Sequence, residues 1–219
     1  SDHEYLFARM LAEQGFIKGN VLELIHFRSN FNYRDSFIQN GCKEKERMRM
    51  TCNGLIDLPS MDIPDLVTFK TISLDDANTV GQISHSAHKH RLNIEHYDVY
   101  ESVEKRSEFS RKLHSNQHGI IIPNASILMS VDGEPAGLIE TTHSDCWNRA
   151  FGWLMDVALL PEFQGIGYGK LMVRYAMQQL RDDGYDNVGL AVTLNNANAK
   201  MLYDQLGFVD QEFFVEIIG

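Results

Sequence analysis

The apolar run Val157-Ala158-Leu159-Leu160 stops at Pro161 and passes through Gln164 into three alternating glycines, Gly165, Gly167 and Gly169. Without side chains these positions leave backbone N–H groups uncovered. From Tyr168 onward the spacing becomes helical, with Leu171, Met172, Tyr175 and Ala176 on one face. A strand must therefore turn into a helix within a few residues. The orphan N–H groups and dipole of the helix N-terminus then face whatever occupies the turn, and they favour an anion there. Gln164, Gly165, Ile166, Gly167, Tyr168, Gly169 and Lys170 are the candidate phosphate cradle.

Two familiar phosphate-binding patterns fail on spacing. The dinucleotide fingerprint needs a glycine at its sixth position, and counting from Gly165 that position is Lys170. The P-loop needs Ser or Thr after Gly-Lys, whereas Gly169-Lys170 is followed by Leu171. What remains is Gln164-x-x-Gly167-x-Gly169. Alone, this is also compatible with a tight strand-to-helix turn of no further consequence.

A second block follows at Asn196-x-x-Ala199-x-x-Leu202-Tyr203-x-x-Leu206-Gly207-Phe208. Asn195 or Asn196 can cap a helix, Ala199, Leu202, Tyr203 and Leu206 share its face, and Gly207 ends it before a final strand at Phe208. Read blandly, this is an amphipathic helix with a tyrosine in the core. A phenol can also protonate a leaving thiolate. The two blocks, in this order, resemble the signature of the GNAT acetyltransferase superfamily, and the resemblance covers roughly residues 66 to 219.

That resemblance implies an α/β chain with the GNAT fold, a central mixed, mostly antiparallel twisted sheet flanked by helices. It implies acetyl-CoA as co-substrate, with the pyrophosphate on the N–H groups from Gln164 to Lys170. The pantetheine arm is expected along Val157, Ala158 and Leu159 like an added strand, with a backbone N–H near Leu159 polarising the thioester. Asn196 and Ala199 complete the cofactor-binding set, Asn196 touching pantetheine or capping its helix. Tyr203 is the expected acid. Some relatives carry a glutamate on the central strand four residues before the position of Val157, where this chain has Trp153. The base is then Asp156 or Glu140, unless water relays the proton.

Composition narrows the partners. A net charge of −10 and a pI near 5.3 oppose nonspecific nucleic-acid binding and fit a cationic amine acceptor. No run approaches the roughly 18 apolar residues of a membrane span, and no signal peptide opens the chain, so the expected compartment is the cytoplasm. Cys42, Cys52 and Cys146 are odd in number and form no Cys-x-x-Cys, which argues for reduced thiols. His85, His88, His90 and His96 lack an acidic or cysteine partner at ligand spacing, and no metal is expected.

Downstream of a connector at residues 53 to 65, the pattern predicts a strand at 67–72, helices at 75–90 and 97–115, and a hairpin of strands 126–131 and 136–142. A long apolar strand at 150–160 follows. Ser73 and Asp76 form a candidate capping box. The helical region 75–115 and the loop 143–149, with Trp147 and Trp153 as candidate walls, are expected to choose the acceptor. Upstream, Leu11-Ala12-Glu13-Gln14-Gly15-Phe16 resembles Tyr203-Asp204-Gln205-Leu206-Gly207-Phe208, with a candidate strand at Val21 to Phe27 after it. Residues 1–65 then read as the remnant of a degenerate GNAT half plus connector, and 66–219 as the complete domain. Leu11 in place of Tyr203 makes that half catalytically silent, and the start inside a helix suggests a fragment of a longer tandem protein.

The function implied is N-acetyl transfer from acetyl-CoA to a primary amine of a small molecule, amino acid or protein, by direct attack in a ternary complex. The alternative is a non-catalytic acyl-CoA-binding regulatory module of the same fold. A nucleotide-binding domain is a third reading, weakened by the glycine spacing. A strand edge near the C-terminus offers a route to a homodimer.

Overall fold

The structure, a computed structural model, describes residues 21–25, 38, 42–89 and 98–218. The repeat expected at Leu11 to Phe16, and His90 and His96, lie outside the described residues. The strands are β1 (Val21–Ile25), β2 (Lys43–Asn53), β3 (Val67–Thr71), β4 (Ile120–Ile121), β5 (Ile127–Val131), β6 (Glu134–Cys146), β7 (Arg149–Leu159), β8 (Asn187–Thr193) and β9 (Val209–Ile218). The helices are α1 (Ala77–His88), α2 (Val103–His114), α3 (Tyr168–Asp182) and α4 (Ala197–Gln205). All strands join one sheet in the order β1-β9-β2-β8-β7-β6-β5-β3, with β4 on β6. Among the described residues, only the β7–β8 pair is parallel. This is the mixed, mostly antiparallel architecture the resemblance implied.

Helices cover both faces of the sheet. On one, Val80, Ile83 and Ala87 of α1 pack on Leu128, Leu138 and Ala158. On the other, Met172, Val173, Ala176, Met177 and Leu180 of α3 are fully buried against the sheet, together with Tyr203 of α4 and Phe208. Each such apolar side chain contributes about 1.5–3 kcal/mol by leaving water. The capping box is present: Asp76 Oδ2 accepts from the Ser73 N–H at 2.9 Å. No described helix is long and apolar enough to cross a membrane.

Two elements differ from the expectation. The stretch 143–149 is not a loop: β6 runs through Cys146, β7 starts at Arg149, and only Trp147 and Asn148 turn, at φ 49° and 60°. Two left-handed residues match the twist of a two-residue hairpin. The second difference is β2, an eleven-residue strand where none was expected, inserted between β8 and β9. Met48 and Met50 join the core on the α3 side, so Arg47 and Arg49 face the other way. The connector after it is strapped to α3, where Arg181 Nη1 donates to Leu58 O at 2.6 Å and Gln178 Nε2 to Pro59 O at 3.1 Å.

Candidate active site

β7 and β8 pair only at Gly152, Trp153 and Leu154. The partner of Glu140 is Asp156 and that of Thr141 is Leu154, so Met155 is an extra residue, a bulge that bends β7 away from β8. Beyond it the strand edge is open. Leu160 N–H donates inward to Ala136 O at 2.9 Å, so the alternate residues Leu159 and Val157 direct their N–H and C=O groups toward the gap. Sequence reasoning placed Val157, Ala158 and Leu159 together here. Their side chains divide, Ala158 joining the α1 face and Leu159 the α3 face.

The glycine turn follows directly. Gly165 (φ 80°) and Gly167 (φ 102°) have left-handed backbones, and a Cβ built on either meets no atom within 4 Å. A ligand can therefore approach the main chain closely at both. Among the described residues, no N–H from Gly165 to Lys170 has a backbone acceptor; the first to find one is Leu171, bonded to Gly167 O at 3.1 Å. Gly167 is the N-cap of α3 and receives no side-chain cap. N–H groups left without backbone acceptors at a helix start can hold an anion. Gly169 serves packing instead, since a Cβ there would lie 3.0 Å from Leu202 Cδ1 and 3.9 Å from Leu159 Cδ2. The turn, α4 and the end of β7 thus converge on Gly169. Gln164 adds a direct tie, its amide nitrogen donating to Leu159 O.

On α4, Asn196 Oδ1 accepts from the Ala199 N–H at 3.3 Å, so Asn196 caps the helix. Tyr203, on the same helix, is 8% exposed, with its ring centroid 5.5 Å from that of Phe208. Ala199 packs partly buried against the same cluster.

Asp156 and Glu140 sit side by side on β7 and β6, under α1 and α2 rather than in the gap. Arg106 of α2 reaches both: Nη2 donates to Asp156 Oδ2 at 2.8 Å and also to Glu140 Oε2. Ser84 and His88 of α1 hold Asp156 at 2.6 and 2.8 Å, and Ser110 holds Glu140 at 2.6 Å. Burial pushes the Asp156 carboxyl up, but His88 and Arg106 pull harder, leaving it well below the usual carboxylate range. Glu140, fully buried, is likewise held low by Arg106, His114 and Ser110 against its burial. A base must be open to its substrate and basic enough to keep a proton. This environment weighs against Asp156 or Glu140 as base. What the pair does is structural: Arg106 clamps the last cross-strand pair before the bulge. His85 contacts Tyr100 O at 2.9 Å, and the His88 ring lies 4.8 Å from that of Tyr100. Among the described residues no group of three or more His, Cys, Asp or Glu is placed to hold a metal ion.

On the α1–α2 face, beside the gap, lies a cavity of about 610 Å³ lined by the candidate walls Trp147 and Trp153 and also by β2 and β9, which the sequence reading does not name as walls. Met155 and Leu154 border it where β7 and β8 part. Trp153 is laid across Gly189, where a Cβ would collide with its ring at 2.6 Å, and forms part of the lining. Arg47 and Arg49 of β2 and Glu212, Phe214 and Glu216 of β9 supply a second wall, and Thr142 to Ser144, Trp147 and Ala191 complete the lining. Strand alternation of charge in β2 was the available signal, but its partners could not be named from sequence.

An open strand edge, a glycine cradle at its end and a cavity on its far side form one site. The sequence model of the acetyltransferase (GNAT) family matches residues 89–208, more than half of the chain. The chain belongs to the GNAT family. The [ribosomal protein bS18]-alanine N-acetyltransferase of Haemophilus influenzae is 38% identical over 55 residues, 25% of this chain and 37% of the relative. The GNAT chain therefore spans little more than a third of that relative's length. Among solved structures, a tandem GNAT protein from the clavulanic acid biosynthesis pathway has a TM-score of 0.62 at 12% identity, covering 97% of this chain and 67% of its own. The PaiA N-acetyltransferase of Thermoplasma acidophilum, in complex with coenzyme A, has a TM-score of 0.52 at 19% identity, covering 68% of this chain and 97% of its own.

Proposed function

We propose that this GNAT chain is an N-acetyltransferase that moves the acetyl group of acetyl-CoA to a primary amine by direct attack in a ternary complex. The observation that carries this reading is the open edge Val157–Leu159 between the glycine cradle and the cavity, which lets the two substrates meet from opposite sides. Supporting it, the Haemophilus relative is named for acetylating an amine and the Thermoplasma structure for its coenzyme A. The residues present fit the donor: the cradle N–H groups lack backbone acceptors, and the left-handed glycines leave room for a phosphate chain.

When bound, acetyl-CoA supplies the acyl group activated as a thioester. The N–H groups of Val157 and Leu159 hold the arm and polarise its carbonyl. A neutral amine in the cavity forms the new C–N bond as the C–S bond breaks. Tyr203 Oη donates its proton to the departing sulfur, and water takes the proton of the amine. Rate comes chiefly from positioning.

One observation favours a binding-only module instead: the two central-strand carboxylates are locked in ion pairs. Calorimetric titration with acetyl-CoA, ATP and NAD, repeated on Gly167→Asp, tests the donor site. Acceptor-dependent release of free CoA, lowered in Tyr203→Phe with donor binding retained, separates enzyme from module. Absence of acetyl-CoA binding would sink both.

We further infer that residues 1–65 are the remnant of a degenerate GNAT half, with 66–219 the catalytic half. The likeness to the tandem GNAT protein extends over 97% of the chain, and β1 and β2 extend the sheet of the second half beside β9. Removal of residues 1–53 should then leave 66–219 insoluble, since β8 and β9 lose the strand between them.

A further inference from the structure

We propose that the cavity is a site for an amino-acid-like acceptor, a small amine that also carries a carboxylate and an apolar side chain. This rests on the transfer reading above, whose acceptor it names. Among the described residues, the arginine and carboxylate lining consists of two cross-strand pairs, with His143 beside them. Arg47 Nη1 meets both oxygens of Glu216 at 3.0 and 3.1 Å, and Arg49 Nη1 meets Glu212 Oε2. Two guanidinium groups and two carboxylates balance, although the whole chain carries −10. A polyamine would face the arginines, and a phosphate ester the glutamates. A zwitterion completes an alternating array with either pair, its ammonium toward a glutamate and its carboxylate toward an arginine.

The pairs are not ordinary surface decoration. Their side chains are only 7–19% exposed. Ion pairs this deep carry a desolvation cost that apolar residues of similar size would avoid, so a role in recognition accounts for them better than a role in stability. They are also rigid: Arg47 Nη2 donates to Ala191 O at 2.6 Å, and the Arg49 guanidinium lies 4.4 Å over the Phe214 ring. Trp153, flat on Gly189, and Met155, 41% exposed, offer the apolar surface beside them. The volume of about 610 Å³ lies within the range of sites that enclose a small ligand. Arg47, Arg49, Glu212 and Glu216 all fall outside the family match at 89–208. The acceptor preference is thus assigned to β2 and β9, which lie outside that match.

The test is CoA release by the full chain with acetyl-CoA and L-phenylalanine, L-leucine or L-methionine, set against L-phenylalaninamide, phenethylamine and spermidine. The expected kcat/KM for the amino acids is at least about tenfold above that for the others, and in Arg49→Gln the gap should close to about threefold. Acetyl-CoA affinity should be unchanged in that variant. Equal use of phenethylamine or spermidine, or a preference that survives both Arg49→Gln and Glu212→Gln, would overturn the proposal. If acetyl-CoA binds and no acceptor releases CoA, the transfer reading fails, and calorimetry of L-phenylalanine on the CoA-saturated protein decides the site alone. Binding weakened in Arg49→Gln supports it; no binding overturns it.

Discussion

The side-chain amide of Gln164 donates to the main-chain oxygen of Leu159 across 2.6 Å, tying the first residue of the glycine turn to the last residue of β7. The phosphate cradle and the N–H group proposed to polarise the thioester are therefore coupled through one side chain. Gln164→Ala should loosen the strand end without removing any cradle N–H group. The expected result is kcat down about tenfold, near 1.4 kcal/mol, with coenzyme A affinity within about threefold of wild type. Gln164→Glu should be worse, because a carboxylate would face a carbonyl oxygen. Steady-state kinetics beside calorimetric titration separates the two quantities.

What could be read in advance follows the range of the interactions. The glycine turn, the Asn196 cap and the hairpins are local, and the residues that define them lie within a turn of one another. The face of β2 could not be read this way. Lys43, Lys45, Arg47 and Arg49 alternate with glutamates before Met48, so no apolar period marks the strand, and its partners β8 and β9 stand at the far end of the chain. Arg106 was hidden for a related reason. A charged residue in a helix reads as solvent-facing, and only the tertiary fold reveals that it is 1% exposed between two carboxylates. Asp156 and Glu140 stand in the sequence as candidate bases, yet their role depends on that unseen partner.

Arg106→Gln should be costly. It leaves Asp156 and Glu140 buried without their shared cation, a loss of about 3–5 kcal/mol in urea unfolding. The pH dependence should also flatten. In the wild type both folded carboxyls lie below their unfolded values, so their contribution is present above the unfolded values and lost as pH falls through the folded ones. In the variant His88 and His114 remain but the shared cation is gone, so the folded values rise toward the unfolded ones and less stability should be lost on acidification. A variant that loses as much stability with acid as the wild type would contradict the clamp.

The glycines of the turn should separate by mechanism. Gly167 at φ 102° is strained by any side chain, so Gly167→Ala should cost about 1–3 kcal/mol. Gly169 has no such backbone demand, and its nearest obstacle is the flexible end of Leu202 at 3.0 Å. There the helix preference of alanine, about 1 kcal/mol, offsets the crowding, and Gly169→Ala should stay within about 1 kcal/mol of wild type. Urea midpoints of the two variants check the order.

Lys45 gives a pH signature in the opposite range. It is 6% exposed on β2, and its ammonium is lowered to about 8, first by burial and then by Arg47, with Glu216 opposing. Between pH 8 and the ordinary lysine value of 10.5, the unfolded chain holds a proton here that the folded chain has released. Stability contributed at this position should therefore rise with pH across that window and be flat below it. Lys45→Met removes the group, so the stability of wild type relative to the variant should increase from pH 8 to 10. Urea unfolding of both proteins at pH 7, 8, 9 and 10 measures this difference. A difference that falls over the same range would mean that Glu216 outweighs burial and that the amine is raised instead.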